Sequence, residues 1–366
     1  MVAYIDNIEN VKTIVSKHFN VLDVYFDVGV LTFKVYDEDI KEKFRELYRE
    51  LKDYQLVPTA TKEDGVIFIR LFPKPRVEPP LPKSRTLPLL LFLATLGTVS
   101  IDGYLRSSTT VYEIITGKTG LIDKILDGFI FTIALLAIIG IHEFGHKISA
   151  KIDYIESSPP YFIPGIPTMI PTFGAVIFQK SPAINRDDMF DIGVSGPIAG
   201  FLVSIGVLFA SFSMARWVPV TEYNVIVESI ERGGGILLPS PLIFYLVRPL
   251  FGRPDMVPLF TIVGFAAWLG MLITALNLFP AWQLDGGRIF RSFLSRKQHK
   301  IAGYVSVVIL AVTGYFFFAL LILLMMPRTP DIAPLDQVSP LSKRRKIAVS
   351  LIIAIIILTF IPLRTF

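Results

Sequence analysis

Hydrophobic and polar positions divide the chain into two unlike parts. Up to about residue 73 they recur at short periods. Ile8, Val11, Ile14 and Val15 share one side of residues 6 to 18, which predicts an amphipathic helix. VLDVYFDV and VLTFKVY, meeting near Asp27 and Gly29, predict a strand hairpin. Ile40, Phe44, Leu47, Tyr48 and Leu51 then recur at helical spacing within residues 38 to 54, and residues 54 to 61 and 65 to 72 supply two more strands. A small α/β domain over residues 1–73 follows, ordered helix, two strands, helix, two strands. The next residues, 74–85 (KPRVEPPLPKSR), hold too many prolines for a helix or a sheet interior and predict a stiff linker.

From residue 86 to residue 366 the pattern changes to long apolar runs. Six of them approach the roughly 20 residues needed to cross the hydrocarbon of a bilayer. They cover about 86–105, 126–147, 191–213, 257–280, 303–326 and 346–363. Two further apolar stretches do not fit a crossing. PPYFIPGIPTMIPTFGAVIF, residues 159–178, is broken by five prolines, and ILLPSPLIFYLVRPL, residues 236–250, is too short and predicts a half-helix at the interface. The expected fold is an α-helical polytopic membrane protein with about six transmembrane helices and a small N-terminal α/β domain.

Composition supports this division. Hydrophobic residues make up 52% of the chain and charged residues 18%, too apolar for an ordinary soluble protein of 366 residues. The net charge of +5 does not point to nucleic acid, because no basic run is interleaved with aromatics. With no cysteine in the chain, disulfides, thiolate metal sites and thiol catalysis are excluded. MVAYIDNIEN has neither a basic nor an apolar leader region, so the first apolar span is expected to direct insertion into the cell membrane, with a cytoplasmic N-terminal domain. That orientation keeps Lys74, Arg76, Lys83, Arg85, Arg288, Arg291, Arg296, Lys297 and Lys300 inside. Lys343, Arg344, Arg345 and Lys346 oppose it.

The second apolar span ends in GIHEFGHKISA. On a helix His142 and His146, four residues apart, project from one face and can reach one tetrahedral zinc, while Glu143 can take a proton from water at the open position. Placing three ionisable groups on an apolar helix is costly unless they satisfy one another or a metal, which favours this reading over two hydrogen-bonded histidines. His18 and His299 lie in polar surroundings and suit solvated roles. A third ligand must come from elsewhere. Asp285, in NLFPAWQLDGGRIF, is the candidate, with a plain interfacial helix-end aspartate as the alternative. Asn277 and Pro280 break the helix before it, and Gly286 and Gly287 allow close backbone approach. His146 and Asp285 both end their spans, and a single crossing between them would bring those ends to one membrane face.

HEFGH on an apolar helix followed by NLFPAWQLDG, together with FGAVI at 173–177 and FDIGVSGPIAG at 190–200, resembles the site-2 protease family of intramembrane metalloproteases. The similarity covers about residues 86 to 326. It implies one zinc per chain held by His142, His146 and Asp285, Glu143 as base, and cleavage of transmembrane segments of membrane-bound proteins. Three departures stand out: Arg288 follows the glycine pair where many relatives carry His, no PDZ domain fits between the third and fourth spans, and no CBS-like tail follows the last. Gly174, Ala175 and Val176 could pair with an unwound substrate, or form a simple loop. Asn277 could donate to the substrate, or stabilise the helix break. The N-terminal domain carries no catalytic constellation and reads as a regulatory or partner-binding module, a stability role being open. A metal-ion transporter and an inactive zinc-binding scaffold are the competing classes. The concentration of ionisable groups at one depth disfavours the first, and the retained Glu143 the second.

Overall fold

The computed structural model describes residues 8–74, 86–233, 238–281, 284–328 and 331–361. Apart from Lys74, the expected linker lies outside these residues. The N-terminal part folds in the order its periodicity predicts: α1 (Ile8–His18), β1 (Val21–Asp27), β2 (Val30–Val35), α2 (Lys41–Leu51), β3 (Leu56–Glu63) and β4 (Val66–Pro73). The four strands form an antiparallel sheet in the order β1-β2-β4-β3. Val28 and Gly29, both with positive φ, turn the first hairpin, the backbone shape that matches strand twist in a two-residue loop. Val11 and Val15 of α1 and Phe44, Leu47 and Leu51 of α2 bury one face against Leu31, Phe33, Ile67 and Ile69. The spacing that predicted the helices is therefore the spacing that fills the core.

The remainder is mostly helical. It runs through α3 (Leu87–Ser107), α4 (Thr110–Thr116), α5 (Leu121–Ile152), β5 (Tyr161–Ile166), β6 (Ile170–Val176), α6 (Arg186–Met214), β7 (Arg216–Pro219), α7 (Val220–Arg232), α8 (Leu242–Val247), β8 (Met256–Leu259), α9 (Ile262–Leu278), α10 (Asp285–Arg291), α11 (Arg296–Val312), α12 (Phe316–Met325) and α13 (Lys343–Thr359). Three of these, α3, α5 and α6, are long and apolar enough to cross a membrane, with 21, 32 and 29 residues. Helices α9 and α13 have 17 residues each. The expected span over 303–326 is not one helix. It breaks at Gly314, whose φ is 103°, and α12 folds back so that Gly303 of α11 faces the side chain of Met326. Hydropathy sums across such a break because both arms are apolar. The Pro-rich 159–178 stretch forms the β5–β6 hairpin, and α8 is the short helix expected within 236–250.

The N-terminal sheet is joined to this body by backbone and by charge. Ala60 of β3 donates to the Leu335 carbonyl at 2.9 Å and accepts from the Gln337 amide at 3.0 Å, so the segment before α13 forms an isolated parallel bridge to β3 at Asp336. Leu335 and Asp336 donate in turn to Ala183 and Ile184, just ahead of α6, and Ile184 and Leu335 enter the N-terminal core. At the start of α6, Lys41 pairs with Asp187 at 3.2 Å, Arg45 with Asp188, and Arg345 with Asp187 and Asp191. Asp153, just past the end of α5, has its carboxyl pushed up to about 7, first by burial and then by Asp188 and Asp191. These bonds and ion pairs tie the N-terminal sheet and α2 to the helical body.

Candidate metal centre

His142 and His146 lie one helical turn apart within α5, about 9 Å of helix before its end at Ile152. Their Nε2 atoms are 3.2 Å apart. Each is also 3.2 Å from Oδ2 of Asp285. Three donors at equal separation form one face of a tetrahedron, and zinc bound at about 2.1 Å to four such ligands would set them about 3.4 Å apart. Two neutral imidazoles and a carboxylate are the donor chemistry zinc takes in sites that keep a fourth position open. The residues therefore fit the metal.

Asp285 reaches this point because α9 stops at Leu278 and the chain turns before α10 begins at Asp285. The carboxylate sits on the first residue of a new helix rather than on unwound backbone. The turn is tight: a Cβ on Gly286 would lie 2.1 Å from the Leu278 carbonyl oxygen, so only glycine lets α10 fold back against the end of α9. The glycine pair noted in the sequence serves this approach.

Helix α6 supplies what the motifs did not predict. The Ile192 carbonyl lies 2.7 Å from Nδ1 of His146 and accepts its proton, leaving the Nε2 lone pair free for a metal. A Cβ on Gly196 would fall 2.1 Å from Nε2 of His146, and one on Gly200 would fall 3.1 Å from Nδ1 of His142. The space both rings occupy is thus left by missing side chains on the facing helix. Glycines at steps of three and four in FDIGVSGPIAG are the signal that could have revealed it.

A cavity of about 450 Å³ opens on the three donors, lined also by Glu143, Asn277, Ala175, Val176, Gln179 and Arg288. Glu143 is buried. Gly174, one residue further along β6, does not line the cavity, and its φ of 85° marks a backbone shape glycine adopts freely. Arg288, whose role the sequence left open, directs its guanidinium to the Gln179 side-chain oxygen. Arg288 and Gln179 were outside the sequence-based site because neither belongs to a ligand spacing.

The model of peptidase family M50 matches residues 130–321, just over half of the chain and the stretch holding every donor described above. The chain belongs to peptidase family M50. Within curated proteins it is 26% identical over 296 residues to the probable zinc metalloprotease EGY2, chloroplastic, of Arabidopsis thaliana, which covers 78% of this chain and 50% of that relative. It is 29% identical over 245 residues to the probable zinc metalloprotease EGY1, chloroplastic, of Oryza sativa subsp. japonica, covering 63% of this chain and 40% of the relative. The chain spans about half the length of the first of these relatives and less of the second. No solved structure matches it. The M50 assignment agrees with the site-2 protease resemblance read from HEFGH and NLFPAWQLDG.

Proposed function

We propose that this protein is an intramembrane zinc metalloendopeptidase that hydrolyses peptide bonds within or beside transmembrane segments of membrane-bound substrates. The observation that carries the proposal is the equal 3.2 Å spacing of His142, His146 and Asp285 beside a buried Glu143 in one cavity. The relatives' names, probable zinc metalloproteases, support zinc as the metal. Zinc bound there would polarise a substrate carbonyl and lower the pKa of a water to about 7.

The chain's own residues divide the remaining work. Glu143 takes a proton from the attacking water and passes it to the leaving amine. Ile192 holds His146 in one tautomer throughout. Asn277 offers an amide toward the substrate or the developing oxyanion. Strand β6 has β5 as its one partner strand among the described residues, so its other edge can pair with an unwound substrate, with Ala175 and Val176 nearest the donors and Gly174 next along the strand. Such pairing supplies the extended backbone that hydrolysis needs, because a helical amide has its carbonyl occupied.

In this reading residues 1–73 form a regulatory or partner-binding domain, 74–85 a linker and 86–366 the protease domain in the bilayer. The protein is multi-pass in a cell membrane with its N-terminal domain cytoplasmic. The count of about six apolar passages then rests on α3, α5, α6, α9 and α13, with α11 and α12 as a folded-back pair. The test is incubation of purified, zinc-loaded protein with a panel of transmembrane peptides, followed by mass spectrometry. Cleavage by the parent and none by Glu143→Ala, with zinc retained, supports the reading. Metal transport or partner binding that survives Glu143→Ala, without cleavage by the parent, would replace it.

A further inference from the structure

The β5–β6 hairpin is held at two ends. Near the metal centre Ser158 and Phe178 bond to one another through backbone and hydroxyl, at 2.9 Å each. At the other end the turn meets the far part of α3. The Thr168 amide donates to Oδ1 of Asp102 at 2.5 Å, the Arg106 Nε donates to Oδ2 of the same carboxylate at 2.7 Å, and Arg106 Nη2 donates to the Thr168 carbonyl at 3.1 Å. Asp102 is 0% exposed, and the Arg106 guanidinium lies 4.4 Å from the centre of the Phe265 ring on α9. Thr168 itself has φ 70°, a conformation a β-branched residue adopts only when its surroundings impose it.

An ion pair on an apolar helix is a poor stabiliser, because the cost of removing both charges from water offsets their attraction. Its two directed bonds to Thr168, one from each partner, give it a different use, which is to fix position. The hairpin itself closes its turn with one bond, from the Met169 amide to the Ile166 carbonyl at 3.2 Å, and has few further donors to add. Pro164, Pro167 and Pro171 lack amide donors, and the ladder is irregular between Phe162 and Pro164. Strand β6 covers about 20 Å from Ile170 to Val176. A peptide paired along its edge would take its register from that strand. A slip of one residue, about 3.3 Å, would bring a different peptide bond to the metal.

We propose that Asp102 and Arg106 are positioning residues, a latch at the hairpin turn that sets the register of the substrate strand on β6 and hence which bond is cut. The inference rests on the protease reading above and concerns where cleavage occurs, not whether it does.

The chain has no cysteine, so a single Phe173→Cys on the exposed side of β6 reports register by cross-linking to transmembrane peptides that each carry one cysteine. The cross-links are mapped with Glu143→Gln present, and cleavage sites are mapped separately in the catalytically intact chain. The parent is expected to give one dominant cleaved bond and one dominant cross-linked position. Asp102→Asn is expected to spread both over neighbouring positions, to lower total cleavage by up to about 100-fold, and to leave zinc content unchanged. Arg106→Lys keeps the charge but loses the fork that joins the Asp102 carboxylate to the Thr168 carbonyl, and serves where Asp102→Asn does not accumulate. An unchanged bond and cross-link position, whatever the rate, would overturn the latch. A parent that cuts nothing would overturn the protease reading first, and the latch with it.

Discussion

Two carboxylates of the body, the buried Asp102 and the half-buried Asp285, differ in what the fold places opposite them. Asp102 is met by its own cation, Arg106, four residues on, and by a backbone amide. Asp285 is met by two imidazoles, and among the described residues neither lysine nor arginine pairs with it. A buried anion beside its own arginine is internally balanced and can act as a fastener. One facing two neutral donors is complete only when a cation enters. The same residue type is thus suited to fastening or to holding a metal according to what the fold places opposite it.

The strongest way to break this comparison is to neutralise each carboxylate in turn. Asp285→Asn is expected to lose zinc on dialysis, measured by atomic emission, and to lose all cleavage, whereas Asp102→Asn keeps its zinc. Equal metal loss in both would erase the distinction. Next in size, Glu143→Gln should lower cleavage by at least about 100-fold while zinc remains stoichiometric, which separates the base from the ligands. Gly196→Ala follows. Its new Cβ would meet the His146 ring at 2.1 Å, so zinc affinity should fall, at a cost in stability of about 1–3 kcal/mol. A change at Gly206, where a Cβ meets open space, should leave both unchanged.

The smallest effect sharpens the comparison from a third carboxyl. Asp153, raised to about 7, holds its proton in the folded protein over a range where an unfolded aspartate has lost it. Its contribution is therefore complete at low pH and is lost as pH rises through 7. Asp153→Asn should raise the thermal midpoint at pH 8, where it removes a half-buried charge repelled by Asp188 and Asp191, and change it little below pH 4. A shift of equal size at both would show that charge is not the cause.

Much of this was legible from residues alone, and for local reasons. The order of the N-terminal helices and strands follows from periodicity, because each element carries the full signal of its own amphipathic face. His142, Glu143 and His146 were legible because helical spacing alone puts them on neighbouring turns. Asp285 was found by chemistry, as a carboxylate among apolar residues at a helix break. Other features had no local signal. Nothing in QVSPL marks the segment whose Gln337 pairs with Ala60 of β3, because the pairing joins residues far apart in sequence. The break that turned the expected 303–326 span into a folded-back pair was hidden because hydropathy does not register direction.

By itself the sequence determined which residues could bind a metal and which faces of the short elements had to be buried, since both depend on side-chain type and helical or strand spacing. The tertiary structure decided whether the donors meet. That required α6 to lend glycine-made space and the Ile192 carbonyl, and α10 to close against α9 through Gly286. Each of these depends on distance through space between residues that spacing along the chain does not relate.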